Sequence, residues 1–160
     1  MDSKPVYLSK EGLLRLEQEL KQLKTVDRPV AIAEIKRTME LGDLTENAEY
    51  HAAKENQGHL ERKIAELEDK LSRARAIDTK NIPTDKAYIF ARVLVKDLDD
   101  DEEEIEYQLA PPEEADAAND IISIKSPIGA ALLGKAVGEK IEVKVPAGII
   151  KYEILKISRD

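Results

Sequence analysis

Apolar residues recur at coiled-coil spacing in two stretches of this chain. Leu13, Leu16, Leu20 and Leu23 step by 3, 4 and 3, and Ile32, Ile35 and Met39 resume with 3 and 4. Between them lies "TVDRPV", where Pro29 cannot donate to an interior helical hydrogen bond. That predicts a kink or short break near Asp27–Pro29, followed by more helix. Further on, Leu60, Ile64, Leu67, Leu71 and Ala74 step by 4, 3, 4 and 3. Neither seam can hide from water alone, so the two predict an antiparallel helical hairpin. Arms of about 30 residues would reach about 45 Å at 1.5 Å per residue. A structural rod, a dimerisation arm and a probe that reaches into something else all fit that length.

The pattern changes near Ile77–Pro83. Beyond it, "AYIFARVLV", "EIEYQLA", "KIEVKV" and "IIKYEILKI" alternate or run apolar as strands do. "VPAGII" at 145–150 has the makings of a hairpin turn, with Gly148 free to take positive φ. "SPIGAALLGK" at 126–135 reads as a short helix, with Ser126 at its N-cap, Pro127 first inside and Gly134 ending it. The fold class expected is therefore α+β in two domains: residues 1–78 as the coiled-coil hairpin, and residues 79–160 as a small α+β domain on a mainly antiparallel sheet.

Charge and composition narrow the functions. The net charge is -8, and it is uneven: residues 1–80 carry 15 Lys/Arg against 16 Asp/Glu, residues 81–160 carry 10 against 17. Such a chain lacks the clustered basic face that duplex nucleic acid demands, although a local basic patch on the first half stays open. The acidic run at 97–106 reads as a self-repelling solvated loop between strands. It has neither the glycine nor the alternating ligands of an EF-hand. Without cysteine there is no disulfide framework and no thiolate metal site. No signal peptide or membrane-length apolar run is present, so a cytoplasmic location with no membrane partner is expected.

The candidate chemistry sits where the first seam lapses, in "LGDLTENAEYHAAKEN", Leu41–Asn56. Helix termination explains part of it. Asp43 and Glu46 have the spacing of a capping box, Thr45 offers another cap, and Gly42 suits a left-handed helix end. One cap uses one or two polar side chains, however, and Asp43, Thr45, Glu46, Asn47 and Glu49 supply more. Two carboxylates at the end of a rod are half of a hard-metal site. Mg²⁺ is commonly held by one or two protein carboxylates, waters and phosphates from a second molecule. His51 and His59, eight residues apart, make a poor metal pair and read as helix-surface or seam residues.

These residues carry a resemblance. "GDLTENAEYHAAKE", with "SPIGAALLGKAVGEKIEVKVPAGIIKYEILKI" some seventy residues later, resembles the bacterial GreA/GreB transcript cleavage factors over essentially the whole chain. "AEYHAAKE" is closer to the GreA branch. The resemblance implies a coiled coil that enters the secondary channel of RNA polymerase and an FKBP-like C-terminal domain that docks on the rim. It implies a factor that is not itself an enzyme and stimulates cleavage of the nascent RNA 3′ end in backtracked complexes. The family's two acidic tip residues fall on Asp43 and Glu46, which would share Mg²⁺ with polymerase, Asp43 as ligand and Glu46 as ligand or water-orienting group. Gly42, Leu44, Thr45, Asn47 and Tyr50 would shape the tip. Lys36, Arg37 and Lys54 would meet RNA, and Ser126 and Pro127 would dock on polymerase. A monomer is expected when free. An inhibitory channel binder, a plain coiled-coil adaptor and a free-standing nuclease are the competing readings. Both tip acids are intact, which disfavours the first, and a lone pair of carboxylates cannot assemble the last.

Overall fold

A computed structural model describes residues 4–43 and 45–159. The chain divides into two compact units between Ala76 and Ile77. In the first, strand β1 (Val6–Ser9) leads into helix α1 (Lys10–Gln22), a π-helical turn (Leu23–Asp27) and helix α2 (Arg28–Met39). Helix α3 (Ala48–Ser72) returns alongside them, and strand β2 (Ala74–Ile77) pairs with β1 to close the base of the hairpin. Ser9 starts α1 by accepting the Gly12 N–H at 3.0 Å, which satisfies one of the free donors of the first turn.

The predicted leucine seam is the core of this unit. Leu16, Leu23, Ile64 and Leu67 are buried with Leu8 of β1, and Leu13, Leu20, Leu60 and Leu71 pack around them. Toward the turn, Ile35 continues the seam as expected, but Ile32 and Met39 do not. Ile32 and Met39 are exposed, and the positions facing α3 are Ala31, Ile35 and Thr38, the last fully buried. The reason lies in the π-helical turn. A heptad carried on from Leu16, Leu20 and Leu23 would use Val30, Glu34 and Arg37, all of which are exposed. Each buried position is one residue later, which is the extra residue that a π turn inserts.

Of the kink or short break expected near Asp27–Pro29, the chain shows no break: the irregularity is the π-helical turn, and more helix follows as expected. The Arg28 N–H bonds back to the Leu23 carbonyl, five residues earlier, and Pro29 sits in the first turn of α2, so helical structure continues through the interruption. Across the arms, Arg28 donates to both carboxylate oxygens of Glu61 at 2.8 Å, and Lys63 reaches Glu19 at 3.1 Å. Opposite charges at these heights favour the antiparallel register over its neighbours.

The second unit holds strands β3 (Arg92–Asp97), β4 (Glu104–Ala110), β5 (Ile121–Ser123), β6 (Lys140–Val145) and β7 (Gly148–Ser158), with helix α4 (Pro127–Leu132). The sheet order is β5-β4-β3-β7-β6, antiparallel except for the β4–β5 pair. Val93, Val95, Leu109, Ile141, Val143, Tyr152 and Ile154 face one core with Leu132 of α4. A bulge in the β3–β7 ladder at Leu94/Val95 shifts the alternation of β7, so that Ile157 as well as Ile154 points inward. "AYIFARVLV" is strand only from Arg92, because Phe90 takes φ +69°, outside any strand conformation. The acidic run closes the β3–β4 hairpin, where the Asp97 carboxylate accepts the Asp99 and Asp100 N–H groups. The β6–β7 turn has Gly148 at φ +138°, as its sequence suggested.

Ser126 caps α4 by accepting the Gly129 N–H at 3.1 Å, and its hydroxyl donates to the Ser123 carbonyl at 2.6 Å. A Cβ on Gly129 would stand 1.9 Å from that same carbonyl oxygen. Gly129→Ala therefore has to push the helix off the end of β5. It should destabilise the C-terminal unit by about 1–3 kcal/mol, the usual range for overpacking, measured by urea unfolding of the full chain.

Candidate functional site

The end of α2 and the start of α3 are built by different residues from those the spacing suggested. Helix α2 stops at Met39, with Glu40 as its C-cap, three residues before Gly42. Gly42 takes φ +131° within the turn, where an added Cβ would touch nothing, so backbone conformation alone favours glycine there. The N-cap of α3 is Asn47, not Asp43 or Thr45: its Oδ1 accepts the Tyr50 N–H at 3.0 Å. Its Nδ2 donates to the Thr38 carbonyl at 2.7 Å, at the far side of the turn. Tyr50 is half-buried, with its ring edge-on to His51. Leu44 lies outside the described residues.

With the cap assigned to Asn47, Asp43 is left for another task. Its Oδ1 accepts both the backbone N–H of Thr45, at 3.0 Å, and the Thr45 hydroxyl, at 2.8 Å. These two bonds favour the charged form and hold the Asp43 carboxyl below its ordinary range. The other carboxylate oxygen receives no hydrogen bond from the described residues. Asp43 and Glu46 line one open hollow with Leu41, Asn47, Ala48 and Glu49, and both acids are exposed. The turn thus presents two carboxylates on one side of the hairpin's end.

His51 lies on the surface of α3, as expected, and does more there. It is exposed, and its Nε2 lies 3.3 Å from the Thr45 carbonyl, which requires the ring nitrogen to donate. It braces the residue that holds Asp43. The signal for it was its place one turn into α3, legible only once Asn47 is known to start that helix. His59 stays on the surface, beside Glu55 and Arg62.

The basic residues divide. Arg37 donates to Glu34 at 2.7 Å and to Glu49 at 3.2 Å, which raises its pKa and commits its guanidinium within the protein. Lys36 and Lys54 are exposed and have no carboxylate within ion-pair distance among the described residues. Of the candidate docking pair, the Ser126 hydroxyl is consumed by the α4 cap, whereas Pro127 is exposed.

Asp43 gives a pH signature. A folded-state pKa below the unfolded one adds stability at neutral pH that is lost as pH falls through the folded value. Thr45→Val keeps the backbone donor and removes the hydroxyl, so it should raise the Asp43 pKa part of the way back toward the ordinary carboxylate. Carboxyl-carbon NMR titration checks this.

Comparison with known proteins follows the same two units. Residues 6–76 match the transcription elongation factor N-terminal family model, and residues 82–159 match the GreA/GreB C-terminal model. The chain is 53% identical to transcription elongation factor GreA of Chloroherpeton thalassium over 97% of this chain and 98% of that one. It is 50% identical to the GreA of Prosthecochloris aestuarii, over 95% and 96%. Among solved structures, the GreA factor homolog 1 protein of Thermus thermophilus is 29% identical, covering 97% of this chain and 99% of its own, with a TM-score of 0.45. Matched in both halves, and sharing about half its residues end to end with these GreA proteins, the chain belongs to the GreA/GreB family of transcription elongation factors, on its GreA branch.

Proposed function

We propose that this protein enters the secondary channel of bacterial RNA polymerase with the hairpin turn leading, and there lends Asp43 and Glu46 to cleavage of the nascent RNA 3′ end in backtracked complexes. The observation that carries this reading is the pair of exposed carboxylates on one side of the turn, with Asp43 held ionised and one of its oxygens receiving no hydrogen bond from the described residues. Helix capping does not account for them, because Asn47 does the capping.

The donor set fits Mg²⁺ only as a shared ion. Both side chains are hard oxygen donors, and no group of three or more His, Cys, Asp or Glu among the described residues is placed to hold a metal. Mg²⁺ wants about six oxygens, so polymerase and RNA phosphates must furnish the rest. When bound, the ion would supply Lewis-acid activation of water. Asp43 offers its open oxygen as a ligand. Glu46 ligates or orients the attacking water and can accept its proton. The hydrolytic reaction is polymerase's own, and the factor contributes carboxylates in trans. Lys36 and Lys54 are free to approach the extruded RNA, and Arg37 joins them only by giving up Glu34 or Glu49. The C-terminal unit docks on the polymerase rim near Ser126 and Pro127, where Pro127 offers the exposed surface. No helix among the described residues is long and apolar enough to cross a membrane. The factor works in the cytoplasm and is a monomer when free.

The test walks polymerase to a backtracked position on 5′-labelled RNA and adds the protein with Mg²⁺. Shortened RNA should appear only when polymerase is present. Asp43→Asn and Glu46→Gln should each slow cleavage by about 100-fold or more, the range for losing one charge-stabilising group, with binding to polymerase almost unchanged. Undiminished cleavage by the double variant would sink the tip mechanism. Binding without any stimulation by the native chain would mark it as an inhibitor of the same channel.

A further inference from the structure

Asn47 does more than start a helix. Its Oδ1 accepts from Tyr50, its backbone carbonyl accepts the His51 N–H at 3.1 Å, and its Nδ2 crosses the turn to the Thr38 carbonyl. Asp, Ser and Thr cap helices about as well as Asn. None of them presents an acceptor and an NH₂ donor on separate atoms of one rigid plane. The partners also settle which way the amide lies: flipped, it would set oxygen against the Thr38 carbonyl and NH₂ against the Tyr50 N–H.

We propose that Asn47 is the positioning residue of the tip: its Nδ2–H···O bond to Thr38 ties the last turn of α2 to the first turn of α3 and sets where Asp43 and Glu46 stand. The inference rests on the reading of the tip as the working end. Thr38 is buried, and its carbonyl accepts from Leu41 N–H at 3.1 Å as well as from Asn47, which fills both lone pairs. The tie closes the segment between Thr38 and Asn47, in which no described residue after Met39 belongs to a helix or strand. Another bridge nearby is the ion pair of Arg37 and Glu49 at 3.2 Å, with both side chains more than half exposed. Salt screens an exposed pair of that kind. The half-buried amide bond is not screened, so it holds the turn at any ionic strength.

The one-residue shift at the π-helical turn puts the small Thr38 side chain on the seam beside this contact; without it the long charged side chain of Arg37 would face α3 there.

Asn47→Asp and Asn47→Ser separate the two roles, since both keep a cap acceptor and lose the amide donor. In the free full-length protein, nitrogen-15 relaxation should show order parameters at Gly42, Asp43, Thr45 and Glu46 falling from about 0.85 toward 0.6 or lower. The thermal midpoint should stay within about 2 °C. In the backtracked-complex assay, the saturating cleavage rate should drop roughly 10- to 100-fold, as for a group displaced by about 1 Å. The half-saturating factor concentration should stay within about twofold, the mark of an effect felt at the reaction and not in binding. Unchanged order parameters in both variants would overturn the proposal, whatever the cleavage data. A rate loss that tracks unfolding or weakened binding would also overturn it and leave Asn47 a helix cap. If the native protein binds polymerase without stimulating cleavage while the variants loosen the turn, the positional tie stands and the cleavage reading fails.

Discussion

Two helical arms that cannot bury their leucines alone must lie against each other, and everything at the far end of this protein depends on the register in which they do so. The buried leucines and isoleucine at the base set that register, and the Arg28–Glu61 and Lys63–Glu19 pairs favour it over its neighbours. The π-helical turn then rotates the outer half of the first arm by one residue. It places Thr38 on the seam and Arg37 on the surface. Near the turn the contact is made by small or medium side chains, with Ala53 and Thr38 buried and Ala31 and Ile35 partly so.

Capping and presentation are divided among neighbours in the turn. Asn47 satisfies free donors at the start of α3, and Thr45 holds one oxygen of Asp43 with two donors. His51 braces Thr45 from within α3. Because these short polar side chains take up the backbone's unmet bonds, both acids remain exposed. A carboxylate that served as N-cap would be turned inward to the helix and lost as a ligand. Asn47 meets the start of α3, while Asp43 holds the Thr45 backbone N–H with one oxygen and keeps the other clear of hydrogen bonds from the described residues.

The C-terminal unit follows its sequence closely for a physical reason. Alternation of period two leaves only one way to bury the apolar face of β6, and a one-residue slip would expose it. The cap at Ser126, the first-turn proline and the positive φ of Gly148 are local chemistry and were legible residue by residue. The start of β3 was not. Phe90 is apolar and strand-forming by type, yet its backbone N–H is drawn to the Leu109 carbonyl and its φ is positive. A partner nineteen residues away overrode local preference.

The sequence by itself determined the helical hairpin, the small antiparallel sheet and the acidic character of the turn. Each of these rests on periodicity or on chemistry within a few residues. Tertiary structure decided which face of the outer first arm is buried, because one inserted residue rotates every later position and leaves no mark in composition. It also decided that Asn47, and not Asp43, caps α3. Several side chains in "GDLTEN" can cap equally well, and the one that does is the one whose amide also meets the Thr38 carbonyl across the turn.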